Sequence, residues 1–360
     1  MTTFTEPAAV VAWFGAVQAQ DYLGALWAVG LRLLDAHERD VERALSERTI
    51  VRSWPMRGTL HFLAAADARW MIELLAPRVA TAAAKRLRAL GIDESVLSRA
   101  RRALVKELEG NRQLTRSAVY GALGRARVST QGERGLHVLW RLAHEGLICF
   151  GAREGKQQTF ALLEEWLPRA KRRARDEALV ELARRYFTAH GPATLRDFAW
   201  WTGMTLAEAR LATEMAGKSI EREVIGDETY HFADAALPAR SGRAPKPAYA
   251  LPAFDEFFVG CADRRAAVDP AHAQRVSAFE LLTSVALVDG RFVGTWKRRI
   301  VGERVILATR LLAPLAPANA AGLRRALERY ASYLELSPAF ETAPSGGKAP
   351  AKTGEGSQLG

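Results

Sequence analysis

The sequence predicts an α+β fold in which short groups of helices, each closed by a β-hairpin, recur three times before a β-rich C-terminal domain. Two observations carry this. Apolar residues recur at helical spacing in stretches that end in short strands joined by Gly-containing turns. After Ala244-Pro245-Lys246-Pro247 the pattern changes to strands. A chain of 360 residues, 49% hydrophobic and 25% charged, is ordinary for a globular protein and long enough for two or more domains.

Residues 1–108 form the first unit with its linking helices. Thr5-Glu6-Pro7 reads as a helix opening rather than a secretory signal. Helices are expected at 8–17, 22–34 and 40–47, with Asp21 capping the second. Strands at 49–54 and 59–63 then pair across Pro55-Met56-Arg57-Gly58, and residues 67–108 add further helices. The second unit, 109–168, has helices at 117–123 and 131–144. Its hairpin, 147–151 with 158–162, turns around Arg153-Glu154-Gly155-Lys156, a basic tip.

The third unit, 169–240, is the clearest. A helix at 174–189 is followed by a short one that Thr194 caps and Gly203 breaks. Thr205-Leu206-Ala207-Glu208 is a capping box, in which the threonine and glutamate side chains satisfy each other's free amide donors, and it opens a third helix to about Met215. Strands at 219–225 and 228–232 meet at the two-residue turn Gly226-Asp227. Three helices followed by a hairpin make a winged helix-turn-helix, so the fold class is tandem winged helices, three in number, with a β-rich domain at 245–340. That domain is a meander of strands at 284–289, 291–298 and 304–309, turning at Asp289-Gly290 and Val301-Gly302, with a helix at 319–334. Residues 341–360 are Gly/Pro/Lys/Ser-rich and predict a disordered tail.

A net charge of +11 points to a polyanion, with nucleic acid first and a membrane surface second; a solvated surface is the alternative. Arginine outnumbers lysine, and its planar fork suits phosphate and base edges. No apolar run approaches the roughly 18 residues needed to span a bilayer and no secretory signal is read, so a cytoplasmic protein with no membrane partner is expected, nucleoid-associated if the polyanion is DNA. Cys149 and Cys261 lack CxxC spacing, so neither zinc nor a disulfide framework is indicated; no metal and no cofactor are expected. Ala216-Gly217-Lys218-Ser219 resembles the end of a phosphate-binding loop, but position 212 is alanine where that loop needs glycine.

The most informative run is Val17-Gln18-Ala19-Gln20-Asp21. In a helix, residues i and i+2 point to different sides; in an extended segment they point the same way. Gln18 and Gln20 therefore share a pocket only if the backbone leaves helical geometry there. Paired neutral amides can hold a water without taking its proton. The alternative is a pair of polar residues at a helix end.

Together with Trp54-Pro55-Met56-Arg57-Gly58-Thr59-Leu60-His61, Leu251-Pro252-Ala253-Phe254-Asp255-Glu256-Phe257 and Val288-Asp289-Gly290-Arg291-Phe292-Val293-Gly294-Thr295-Trp296, this run resembles the AlkZ/YcaQ-like winged-helix DNA glycosylases. Gln-x-Gln and Arg-Gly-Thr-Leu-His are the specific matches. The resemblance implies hydrolysis of the N-glycosidic bond of alkylated purines, including some interstrand crosslinks, in base excision repair. It also implies that Gln18 and Gln20 are the catalytic pair; glutamine at the second position places the chain with the AlkZ-type branch.

An N7-alkylated purine is already a good leaving group, so the enzyme must chiefly place a water at C1′, and orientation alone lowers such a barrier. Gln18 and Gln20 are expected to hold that water by their carbonyl oxygens. Double-stranded DNA carrying alkylated purines would be the partner of a monomer, bound by three clusters: Arg52, Arg57 and His61 on the first hairpin, Arg153 and Lys156 at the second tip, and Trp296, Lys297, Arg298 and Arg299 on a C-terminal strand. A buried strand histidine is an equal reading of His61. Trp54, Trp200 and Trp201 read as core, and Asp255 and Glu256 as structural partners of arginine. The rival function is a non-catalytic winged-helix DNA-binding protein or transcription regulator.

Overall fold

The computed structural model of the chain describes residues 4–167, 170–233 and 247–342. In order, the first stretch holds α1 (Pro7–Phe14), β1 (Val17–Gln18), α2 (Tyr22–Gly30), α3 (Glu38–Ser46), β2 (Ile50–Met56) and β3 (Thr59–Ala64), then α4 (Ala68–Ala82), α5 (Ala84–Ala89) and α6 (Glu94–Leu108). Next come β4 (Leu114–Thr115), α7 (Arg116–Arg125), α8 (Arg134–His144), β5 (Ile148–Phe150), β6 (Thr159–Leu162) and α9 (Leu163–Trp166). They are followed by α10 (Arg175–Ala189), α11 (Leu195–Thr202), α12 (Leu206–Ala216), β7 (Glu221–Ile225) and β8 (Glu228–Phe232). The last stretch contains β9 (Ala248–Leu251), α13 (Glu256–Val259), β10 (Val285–Val288), β11 (Arg291–Val301), β12 (Arg304–Leu311), α14 (Pro317–Tyr333) and β13 (Ser337–Thr342).

The first departure from expectation is at the glutamines. Helix α1 stops at Phe14 instead of running to residue 17, because Gly15 takes φ 81° and turns the chain out of the helix. The freed backbone extends as β1 and pairs antiparallel with β3, Val17 opposite Phe62 and Gln18 opposite His61. The resulting sheet has the order β1-β3-β2. The β2–β3 turn is also tighter than expected. Met56 still pairs with Thr59, and only Arg57 (φ 54°) and Gly58 (φ 76°) turn the chain. Positive φ at both central residues gives a hairpin turn whose twist matches its strands. Pro55 lies within β2, where the register shifts between Ser53 and Met56; proline has no N–H for the ladder.

In the second stretch the order is β4-β6-β5, with the unanticipated β4 pairing through Leu114 and Thr115; Thr115 also caps α7. In the third, both expected N-caps are present as capping boxes, Thr194 with Asp197 and Thr205 with Glu208, and Gly203 ends α11 at φ 74°. The C-terminal sheet has five strands in the order β13-β12-β11-β10-β9. Neither edge strand was anticipated. Strand β13 runs parallel to β12 and takes in Glu341 and Thr342, two residues assigned in advance to the tail. The tail from Ser345 onward and the linker Pro245-Lys246 lie outside the described residues.

Among the described residues, three cores are organised around one hairpin. Ile50 and Phe62 pack into a core shared with α1, α2 and the C-terminal sheet. Val51, Met56 and Leu63 join a second core with α4, α10, α11 and α12. Trp54 and Leu60 enter a third with α6, α7 and α8. In the first core the Trp27 indole donates to the Ala250 carbonyl at 2.7 Å and its ring lies 4.9 Å from Tyr333. A Cβ on Gly30 would sit 2.2 Å from that tyrosine ring, so only glycine permits the approach. Truncating Trp27 to alanine would cost about 3–5 kcal/mol. The hairpin is thus held from three sides, which makes its turn a rigid platform.

Candidate active site

Three consecutive residues of the extended segment are fastened to that platform. The Ala19 N–H donates to the Leu60 carbonyl at 2.7 Å. Its own carbonyl accepts from Arg52 Nε at 3.1 Å and Nη2 at 2.8 Å. On either side, Gln18 Oε1 accepts from Arg57 Nη2 at 3.1 Å, and Gln20 Oε1 accepts from the Leu60 N–H at 3.3 Å. Both glutamine side chains therefore reach the same hairpin. Gln18 is buried at 8% exposure and Gln20 is half-buried. These bonds use one lone pair of each carbonyl, and a carbonyl oxygen has two.

Arg57 and His61 form the next layer. The His61 ring is fully buried; its Nδ1 donates to the Thr59 carbonyl at 3.0 Å, leaving Nε2 as the acceptor for Arg57 Nη2 at 3.2 Å. Burial, reinforced by the Arg57 charge, holds the imidazole pKa well below its ordinary value, so the ring is neutral. Burial also lowers the Arg57 pKa, opposed by the Glu256 charge. Gly203 leaves room for this side chain: a Cβ there would lie 3.3 Å from Arg57 Cγ.

Behind Gln18 lies a residue that the sequence reading assigned elsewhere. Asp255 does pair with arginine, gripped by Arg32 at 2.8 and 2.9 Å while capping α13 through the Phe257 N–H at 3.0 Å. Glu256 does not. It opens α13, and its Oε1 accepts the Gln18 N–H at 2.7 Å. Its Oε2 accepts the Trp201 indole N–H at 2.9 Å and lies 3.3 Å from His190 Nε2. Adjacency to Asp255 hid it, because no local pattern ties position 256 to position 18.

Two expected DNA contacts require correction. Arg52 is 3% exposed, bonded to Ala19, and flanked by the rings of Tyr22 and Phe150; burial lowers its pKa to about 10. It holds the glutamine segment rather than facing solvent. Trp296 is 3% exposed, with its indole donating to the Leu251 carbonyl at 2.8 Å, so its ring is core. His61 is likewise interior, and its buried reading is the one the structure bears out. Arg153 is tied to Glu42 at 2.7 Å and lies over Tyr22, while Arg298 is half-buried and bonded to the Tyr330 hydroxyl. Lys156, Lys297 and Arg299 are exposed, the last 3.3 Å from Glu341. Trp54 and Trp201 are core as expected, but Trp200 is 48% exposed beneath Arg264.

Among the described residues no group of three His, Cys, Asp or Glu side chains could hold a metal ion, and no helix is long and apolar enough to cross a membrane. Two glutamines, one on strand β1 and one just past its end, both bonded to one hairpin within helix-and-hairpin units that end in a β-rich domain, define a class, and the chain belongs to the AlkZ-like DNA glycosylase family. The family model, DNA glycosylase AlkZ-like, matches residues 11–333. The protein is therefore a DNA glycosylase, which sets aside the non-catalytic regulator. Among its relatives, an interstrand DNA cross-link repair glycosylase of Streptomyces sahachiroi is 26% identical over 321 residues, covering 84% of this chain and 85% of the relative. The solved structure of Streptomyces sahachiroi DNA glycosylase AlkZ shares the fold, with a TM-score of 0.75, 23% identity and 94% coverage of each chain.

Proposed function

We propose that this protein is a monofunctional glycosylase that hydrolyses the N-glycosidic bond of N7-alkylated purines in duplex DNA and unhooks interstrand crosslinks built from them. Three tandem winged helices, at 1–108, 109–168 and 169–240, and the β-rich domain at 245–340 enclose one duplex as a monomer. The observation that carries the reading is that Gln18, on β1, and Gln20, two residues on, both reach one hairpin with each carbonyl oriented by an N–H donor.

In this reading the cationic base departs with little proton assistance. Gln18 and Gln20 hold the attacking water through the remaining lone pairs of their carbonyls. The gain is orientational: a water held close to C1′ replaces a random encounter. Neutral amides add no charge whose ionisation must be tuned. Lys156, Lys297 and Arg299 supply backbone contacts to the DNA. The cross-link activity named for the Streptomyces sahachiroi relative supports including crosslinks among the substrates.

The test is release of free base from a duplex carrying one N7-methylguanine, with enzyme in excess. Gln18→Ala and Gln20→Ala should each slow release at least tenfold while DNA affinity holds. If both release base at the wild-type rate, the glutamines are not catalytic.

A further inference from the structure

Among the described residues, strand β1 lies at the edge of its sheet and pairs with β3 alone. Because the Ala19 N–H points into that pairing, the Gln18 N–H points out of it, where no strand can receive it. Glu256 receives it instead, 238 residues away in sequence and 1% exposed. The same carboxylate takes the Trp201 indole of α11 and faces His190, the residue that follows α10. One buried side chain thus joins the C-terminal domain, the third helical group and the backbone of the residue assigned to the water. Gln18 is gripped twice: Glu256 holds its main chain and Arg57 its side-chain oxygen.

We propose that Glu256 is a positioning residue for glycosidic hydrolysis, fixing the Gln18 backbone from which the amide is aimed; the inference rests on the reading of Gln18 as a water-holding residue. The physical reason is the shortness of β1. Two residues of ladder cannot by themselves hold a side chain to a fraction of an ångström, and a misplacement of about 1 Å can cost about a hundredfold in rate. A carboxylate suits the position because both of its oxygens accept. An amide would turn an NH₂ toward either the Gln18 N–H or the indole N–H, and one of the two contacts would be lost.

The experiment compares Glu256→Gln with Asp255→Asn, using single-turnover release of N7-methylguanine at saturating enzyme, duplex affinity by anisotropy and Tm. Asp255 is as buried as its neighbour and ion-paired, but its carboxylate bonds to Arg32 and the Phe257 N–H rather than to Gln18. Glu256→Gln should slow release tenfold to a hundredfold with Kd within threefold. Asp255→Asn should lower Tm at least as much with the rate within threefold. Glu256→Gln placed in a Gln18→Ala background should slow release no further, since it acts through that side chain. Glu256→Asp, too short to reach both partners, replaces the glutamine variant if that one does not fold. A wild-type rate in the Glu256 variants, an equal rate loss in Asp255→Asn, or multiplying losses in the double variant would each overturn the inference. A slow Gln18→Ala beside a fast Glu256→Gln removes the Glu256 role alone. A fast Gln18→Ala removes the catalytic reading, and the positioning role with it.

Discussion

Replacing Arg57 with glycine should separate the stability of the hairpin from the chemistry it supports. The residue sits at φ 54°, a left-handed conformation that costs an L-residue about 1–2 kcal/mol and glycine almost nothing. Arg57→Gly relieves that strain and removes a buried guanidinium whose pKa burial has already lowered. Against this, His61 Nε2 loses its donor, and a buried acceptor left unpaired costs about 1–3 kcal/mol. The terms oppose each other, so Tm should move by only a few degrees. The rate should behave differently. The Arg57 bond orients the Gln18 carbonyl at 3.1 Å, and a charge-assisted bond of this kind is worth about 1.5–3 kcal/mol. If it is fully expressed in the transition state, its loss slows base release by about tenfold to a hundredfold. The assay is single-turnover release from a duplex with one N7-methylguanine, alongside thermal unfolding of the same sample. A rate within threefold of wild type, with the variant folded, would refute the role given to Arg57.

The remaining predictions concern DNA affinity and pH. Substituting alanine for Lys156, Lys297 and Arg299 together should flatten the dependence of log K on log salt by about 3 if each meets one phosphate, read by anisotropy titrations across a salt series; an unchanged slope would place DNA elsewhere. His61 is buried and neutral, whereas in the unfolded chain it takes a proton below about pH 6.5. The unfolded state then binds more protons, so stability falls as pH drops through that value, by about 1.4 kcal/mol per pH unit for one histidine. His144, with its pKa lowered by burial to about 4, and His231, also lowered, add to the same trend. Urea unfolding at pH 7, 6 and 5 should show a shallower acid loss in His61→Gln than in wild type; equal slopes would mean that His61 is not the source.

Local chemistry was readable because it acts over a few residues. Thr194 and Thr205 cap their helices from three positions away, and Gly203 and Gly226 end or turn their elements through backbone freedom alone. The Gln-x-Gln spacing was readable for a related reason. Two residues apart means a shared side in extended backbone, and the structure places Gln18 in a strand whose pairing Ala19 continues by one hydrogen bond to Leu60. The expected helix to residue 17 was wrong because the apolar run Val10, Val11, Phe14 and Val17 suits helix and buried strand alike, and Gly15 decided between them.

The cations show where local reading ends. Arg52 and Lys156 are alike as letters, yet one fastens Ala19 inside the fold and the other stands in solvent. Strands β9 and β13 were missed because an edge strand depends on the neighbour it joins more than on its own pattern. By itself, then, the sequence determined the helix boundaries set by caps and glycines, the hairpins, the basic character and the glutamine pair, all properties of short range. Tertiary structure alone decided which charges are interior and that Glu256 grips Gln18 across 238 residues, because burial and long-range hydrogen bonds arise only when distant segments close on one another and exclude water.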